Sequence, residues 1–587
     1  MATMPSSMTS LSRFARPTWL VAGSAACLIG AWVALTTIRT VVSNFSAIPW
    51  YDDWKDLTLY RAWSMGNMPF LDALLQSTNE HRVAFPRLVL FADDRFYGGL
   101  GTVPIIGIFV VQACHAGLFA IVLHRARPAH PGRWMIGGVV VALMMSLRQA
   151  ENFTSGLQIA FAAVFAAATG SALAFGRAVE RLAVGRTPWP WFAGSLAAAF
   201  VACFSMANGL LVAPILAVMA ILARAPRLAA GYLAFAAVVT PAYFFEDAIE
   251  APGSPLTENL HHPGRLAFYV AAYLGGIASD PPSRALAMGA LGILSTVLAT
   301  ARAATRMGRP GASGLVAVML FCGATATLTA AGRLQFGPEQ ALSSRYCTGS
   351  AAFWAATLVY WWTNPSPWPR LYGAARFAII MVAVVLFFPL IHNQRIMKSV
   401  VTEQAARRDR ATDLLALGLK DKAVTEAISW PGTASDELLD WMQASNKAIF
   451  ALPDVRAIGR PITDIGTVAD APGCQGDVAE ARSAPNLGVG AVRVSGTAMD
   501  GGRPVTRVFL VDDAGEVRGI ASGHLADRAP MAWEGYAVAP PGSHLRAYLL
   551  RTRGRLCPTG PPVGIAAPGE GASADGLSAR TPDATTP

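Results

Sequence analysis

Charge is what this sequence has least of. Only 14% of its 587 residues are Asp, Glu, Lys or Arg, whereas 53% are hydrophobic. Such a composition, with many separate apolar runs about as long as a bilayer-spanning helix needs, excludes an ordinary soluble enzyme and implies a polytopic membrane protein. The net charge of +10 is not gathered on one basic face. Its Arg residues sit in short clusters between apolar segments, the positive-inside pattern, so no nucleic-acid partner is implied. Metal-ligand spacing is also missing. Five of the seven cysteines, Cys27, Cys114, Cys203, Cys322 and Cys347, lie in apolar stretches and read as buried small residues. Cys474 and Cys557 bracket a polar C-terminal region and can pair there if that region lies outside the cytoplasm. There is no internal repeat.

The apolar run over residues 18–42, preceded by Arg13 and Arg16, is too long for the h-region of a cleaved signal peptide and reads as a first span with its N-terminus inside. Further spans are expected at residues 100–123, 134–147, 159–176, 189–207, 210–223, 228–245, 284–300, 314–330, 347–362 and 377–391. Arg clusters at 125–133, 177–186 and 224–227 fall in alternate loops, which makes those loops cytoplasmic. Residues 266–279 break the alternation. If they crossed, Arg302, Arg306 and Arg309 would land outside, so they read as a half-span or interfacial helix. The expectation is a mainly α protein, a bundle of about eleven spans with an extracytoplasmic C-terminal region, in a bacterial inner membrane.

Four domains follow from composition. Residues 1–396 form the membrane domain, 397–460 a helical segment, 461–560 a small β-sandwich and 561–587 a disordered tail rich in Gly, Ala, Ser, Pro and Thr. Ser435 starts a helix with Glu437 in its first turn. Apolar alternation at Val492/Val494, Val508/Leu510 and Leu545/Ala547/Leu549 marks strands, and DDAG at 512–515 a turn.

In so uncharged a chain, paired carboxylates at a membrane surface are costly unless used, and PWYDDW at residues 49–54 has such a pair in Asp52 and Asp53. The alternative is that Asp53 caps the following helix and Asp52 is solvated. That helix carries Leu57, Tyr60 and Trp63 on one side and is expected to lie on the membrane. NEHR supplies Glu80, His81 and Arg82, either as a binding group or as a local ion-pair knot with Arg87. QAENFTSGLQ offers Gln149, Asn152 and Gln158 for sugar recognition, or simply closes a turn. SSRY at 343–346 brings Arg345 and Tyr346 to the start of a span, where a guanidinium either grips phosphate or snorkels. All these groups map to the outer side. A transporter places polar groups near the midplane, whereas an enzyme acting at the surface gathers them at one face.

Taken together, PWYDDW, NEHRVAFPRL, QAENFTSGLQIAF, FSMANGLL and SSRY resemble a bacterial family of multispan proteins that is itself similar to the GT-C glycosyltransferases. The likeness covers roughly residues 19–450 and leaves out the β-region. It implies a polyprenyl-phosphate-linked sugar donor, a glycan, lipid or protein acceptor, and an acidic residue of the first outer loop as general base or metal ligand. By that likeness Asp52 is the base, Asp53 its neighbour or a ligand of a divalent metal, and Arg345 the phosphate-binding group. The implied reaction is a single displacement with inversion at the anomeric carbon. The competing readings are a flippase or transporter of lipid-linked or polar solutes, an O-antigen polymerase or ligase, and a membrane-anchored binding protein.

Overall fold

In hydrocarbon a backbone can find hydrogen-bond partners only within its own segment, so uncharged apolar runs become helices. In the computed structural model, which describes residues 7–245, 259, 261–278, 282–304, 312–364, 372–468, 474–500, 507–523, 531–540, 542–551 and 555–566, six helices are long and apolar enough to cross a membrane. They are Pro17–Ser43, Thr102–Ala126, Ile159–Ala183, Pro226–Phe244, Pro282–Ala303 and Ala312–Phe336. The protein is mainly helical, with a C-terminal β-sheet.

The other expected crossings take different forms. Gly132–Met144 has 13 residues, and Trp189–Cys203 and Ala207–Leu222 are shorter apolar helices. Cys347–Thr363 is buried along nearly its whole length, which makes it a central core helix. The run at 377–391 belongs to one 44-residue helix, Tyr372–Leu415, that continues well past the apolar residues. Small residues allow the close crossings. A Cβ on Gly138 would fall 2.4 Å from the Ala26 carbonyl carbon, and one on Gly289 1.8 Å from the Ala271 oxygen, so these backbones pack directly.

The segment that broke the charge alternation forms the helix Pro263–Gly275 and the turn Gly276–Ala278. Before it, Asn259 donates to the Ala331 carbonyl (2.8 Å). After it, Ile277 N donates to Ser350 Oγ (3.1 Å), and the Cys347 thiol faces the Gly276 carbonyl. Both ends of this segment therefore lie towards the end of the bundle that carries Arg345.

Eight strands follow: β1 (Thr467–Val468), β2 (Cys474–Ser483), β3 (Ala491–Asp500), β4 (Arg507–Val511), β5 (Val517–Gly523), β6 (Met531–Val538), β7 (His544–Arg551) and β8 (Arg555–Gly564). The expected sandwich is instead one continuous sheet, ordered β1-β8-β7-β4-β5-β6-β3-β2. It curls until β2 meets β8: Ala566 N donates to the Ala481 carbonyl (2.9 Å), Ser483 N donates to the Ala566 carbonyl (3.1 Å), and a Cys474–Cys557 disulfide joins the two strands. The expected boundary at residue 561 falls inside β8, whose pairing with β7 extends to Gly564 opposite His544. Of the expected disordered tail, residues 567–587 lie outside the described residues.

The alternating residues Val492, Val494, Val508, Leu510, Leu545, Ala547 and Leu549 fill the inside of the curl, as their period of two requires. Some of the residues on the opposite face are apolar too. Phe509, Val511, Ile520 and Tyr536 share a second core with Leu414, Leu438 and Met442 of the helical segment and with Trp54, Leu57 and Tyr60 of the first loop. Three separately delimited pieces are thus one folded body. The loop helix Asp53–Ser64 does not lie on lipid. Its apolar side packs on protein, with Tyr60 6.3 Å from Trp441 and Trp63 stacked on Phe91 at 5.6 Å. The same stripe that suits a membrane surface suits this core.

Candidate functional site

Tyr51 adopts φ +48 and turns the chain sharply at the middle of PWYDDW. Both Tyr51 N (2.7 Å) and the Trp54 indole N–H (3.1 Å) donate to the carbonyl of Ile428, fastening the motif to the C-terminal segment. The turn sends the two aspartates to different fates. Asp52 Oδ1 accepts from the Trp430 indole (3.0 Å), and its other oxygen has no hydrogen-bond partner among the described residues. Asp53 accepts from Trp50 N (3.2 Å), Ser155 Oγ (3.2 Å) and Leu157 N (2.9 Å). Burial pushes the Asp53 carboxyl up to about 6, against the pull of the Leu157 and Trp50 amides. Neither side chain caps the helix that follows. Asp53 pins the first loop to residues 155–157.

Arg408 completes that pin from the long helix. It is buried, donates to the Thr154 carbonyl and lies over the Trp50 ring at 4.2 Å. Burial holds its guanidinium down to about 10, with the Asp53 charge opposing.

The three amides of QAENFTSGLQ separate in the same way. Gln149 is fully buried: its amide nitrogen donates to the Leu143 and Met144 carbonyls, and its oxygen accepts from Gln112 (2.9 Å) and Thr348 (2.6 Å). Asn152, equally buried, donates to the Arg345 carbonyl (2.9 Å) and Thr348 Oγ1 (2.8 Å). These two hold the fold at positions where sugar contact was expected. Gln158 is half-buried, and its Oε1 has no partner. Between them, Glu151 lies 3.5 Å from Arg345 Nε and accepts from Ser344 Oγ (3.3 Å).

In NEHR, Asn79 takes φ +53 within a tight turn closed by mutual Thr78–His81 backbone bonds of 2.8 and 3.0 Å. Glu80 pairs with Arg333 (3.3 Å) and not with Arg82 or Arg87. His81 keeps a buried Nδ1 without a partner, and burial lowers its pKa against the opposing Glu80 charge. Arg82 is taken up by carbonyls: Nε donates to Tyr243 (2.5 Å), and the terminal nitrogens donate to Leu75 (2.7 Å) and Phe245 (2.6 Å). It clamps two segments together and does not present a charge to a ligand. Arg87 pairs with Asp56 at 2.7 Å, both buried.

Arg345 differs from Arg82 and Arg87. Its Nε faces Glu151 and Ser343 Oγ, and neither terminal nitrogen makes a hydrogen bond with a described residue. Tyr346 stacks on Tyr273 at 5.3 Å. The charge of Asp52 acts on both Arg345 and His81, and the charges of Glu151 and Arg345 both reach Tyr51. Glu151 and Arg345 (3.5 Å) and Glu80 and Arg333 (3.3 Å) are in contact, and Asp52 joins this polar cluster through its charge alone, with no hydrogen bond or ion pair to Arg345. Among the described residues, no group of three or more His, Cys, Asp or Glu stands close enough to hold a metal ion.

Sequence reasoning missed Arg408, hidden in the run RRDR at 407–410 that looks like a solvated face, and Trp430, whose link to Asp52 no local pattern announces. No protein-family model, curated protein or solved structure matches this chain.

Proposed function

We propose that this chain is a GT-C-like glycosyltransferase of about eleven crossings, moving a sugar from a polyprenyl-phosphate-linked donor to an envelope glycan, lipid or protein on the outer face of a bacterial inner membrane. The observation that supports it is a carboxylate and a guanidinium in one polar cluster, Asp52 with one oxygen and Arg345 with both terminal nitrogens unbonded among the described residues. Such transfer needs a base for the acceptor hydroxyl, a cation at the departing phosphate and apolar walls for the isoprenoid. Asp52 takes the proton and Arg345 grips the phosphate oxygens, with Arg333 nearby through Glu80. Asp53 and Arg408 hold the loop that carries the base. A disulfide between β2 and β8 suits an oxidising compartment for the C-terminal body.

A carrier of lipid-linked or polar solutes is the second reading. The buried hydrogen-bonded line Gln112–Gln149–Thr348–Asn152 inside the bundle favours it. Mass spectrometry of envelope glycans from a deletion strain, beside purified protein in liposomes supplied with lipid-linked sugar, separates the two. Loss of one sugar residue together with transfer in vitro supports the enzyme. Movement of the intact lipid-linked sugar across the bilayer without transfer replaces it with the carrier.

A further inference from the structure

A cavity of about 390 Å³ lies away from the Asp52–Arg345 cluster, between the end of the first span, the long helix and the β-sheet. Its volume falls in the range of about 300–1,000 Å³ typical of ligand clefts. Asp409, on the long helix, lines it with no hydrogen-bond or ion-pair partner among the described residues. Asp454 and Arg507 face the same space, paired with one another, and Arg507 also holds the buried Asp413 at 2.7 Å. Phe45 and Leu550 line it as well, 39% and 38% exposed although large and apolar. Among the described residues, the Asn44 amide nitrogen donates to the Thr40 carbonyl (2.8 Å) and to Ser43 Oγ (3.4 Å), and its oxygen accepts no hydrogen bond.

This combination is selective in its chemistry. An unpartnered carboxylate accepts from hydroxyls, a tethered guanidinium donates to them, and an exposed ring covers the C–H face of a pyranose. A simple acidic site for a cation would not set a guanidinium and a phenyl ring into its wall. A second, smaller cavity shares Phe45 and reaches Asp53 and residues 154–156, so the space adjoins the loop that carries the proposed base.

We propose that this cavity binds a saccharide chain, the acceptor glycan, through Asp409 and Arg507 with Phe45 as the stacking face; this rests on the glycosyltransferase reading. Ser43 ends the first apolar helix and Thr402 lies on the long helix beyond its apolar run, so the cavity stands at that end of the helical bundle. A glycan held there keeps its reactive end beside the first loop while its remainder runs along the β-sheet.

The test uses the full-length protein in nanodiscs, with oligosaccharides released by mild acid from the cell's own envelope as probe and saturation-transfer NMR as readout. Asp409→Leu and the cavity-filling Leu550→Trp are each expected to weaken binding roughly tenfold to a hundredfold, the scale of losing a hydrogen bond to a charged group. Asp409→Asn, which keeps shape and acceptor, is expected to lose less. Glu403→Ala, on the exposed side of the same helix, is expected to bind as the parent does. Unchanged affinity in both cavity variants, or no binding by the parent, overturns the proposal. If the parent transfers sugar but Asp409→Leu leaves the acceptor KM unchanged, this proposal falls alone. If saccharide binds through Asp409 in a protein that transfers nothing, the enzymatic reading falls and the binding site stands.

Discussion

Two arginines alike in chemistry and opposite in surroundings, Arg87 and Arg345, divide this molecule. Beneath the first loop, Arg87 is fully buried and saturated: it bonds Asp56, Thr78 and the carbonyls of Ala73, Leu74 and Gln76. In the polar cluster, Arg345 leans on Glu151 through Nε alone and leaves its terminal nitrogens without hydrogen bonds to described residues. The same contrast separates Asp53, which accepts three hydrogen bonds, from Asp52, which accepts one. A saturated charge has no capacity left for a ligand, and its removal disturbs the fold. An unsaturated charge costs little to remove structurally, and what it binds comes from outside.

The largest effect should come from the aspartate pair. Asp52→Asn is expected to lower transfer by about 10²–10⁴, the contribution of a general base, with an unchanged melting temperature. Asp53→Asn should act the other way round, keeping measurable transfer while loosening the first loop, which limited proteolysis around residue 50 would detect. Near-normal turnover by purified Asp52→Asn, or a shared phenotype for the two variants, would break the comparison.

The arginine pair sharpens it. Arg87→Ala leaves Asp56 buried without its cation and should destabilise by about 3–5 kcal/mol, enough to lower the yield of folded protein. Arg345→Ala should leave the melting temperature where it is and raise the donor KM, with Arg345→Lys rescuing only in part because an ammonium lacks the planar fork. Donor dependence measured in detergent with lipid-linked sugar decides it. An unaltered KM for Arg345→Ala would make that residue an interfacial anchor.

What was legible in the sequence was local. Ser435 accepts from Leu438 N as a helix cap, Asp512 closes the expected turn with Gly515, the alternating valines and leucines line one face of the sheet, and Cys474 meets Cys557. The cap, the turn and the alternation depend on neighbours in the chain or on a period of two, and the disulfide on there being two cysteines in a polar region. What was not legible depended on the identity of the partner surface. Leu57 and Tyr60 announce a buried stripe, but the stripe does not say whether lipid or a distant helix covers it. Gln149 and Asn152 have the donors and acceptors of a sugar site, yet burial turns the same groups into mortar between helices. The Arg of RRDR that faces Trp50 looks like its exposed neighbours until the long helix is seen to rise beside the first loop.

A further test of the same contrast, on a third cluster, is a pH dependence. Asp413 is fully buried, with Oδ1 held by Arg507 and Ser522 and Oδ2 unpartnered, and burial pushes its carboxyl up to about 7 against the Arg507 charge. Asp454 pairs with that guanidinium too, and Asp409, pushed up to about 6 by burial, feels its charge without contacting it. A folded pKa raised above the unfolded value means that the native state keeps a proton the unfolded chain has already released. Stability is then highest below the unfolded pKa and falls as pH rises towards 7, by at most about 1.4 kcal/mol per pH unit for each such group. The apparent melting temperature of the full chain should therefore drop between about pH 5 and 7 and level off above. Asp413→Asn cannot ionise and should flatten that slope. A parent curve that rises with pH over this interval would mean that Arg507 stabilises the ionised Asp413 more than burial penalises it, and would move this joint to the saturated side of the comparison.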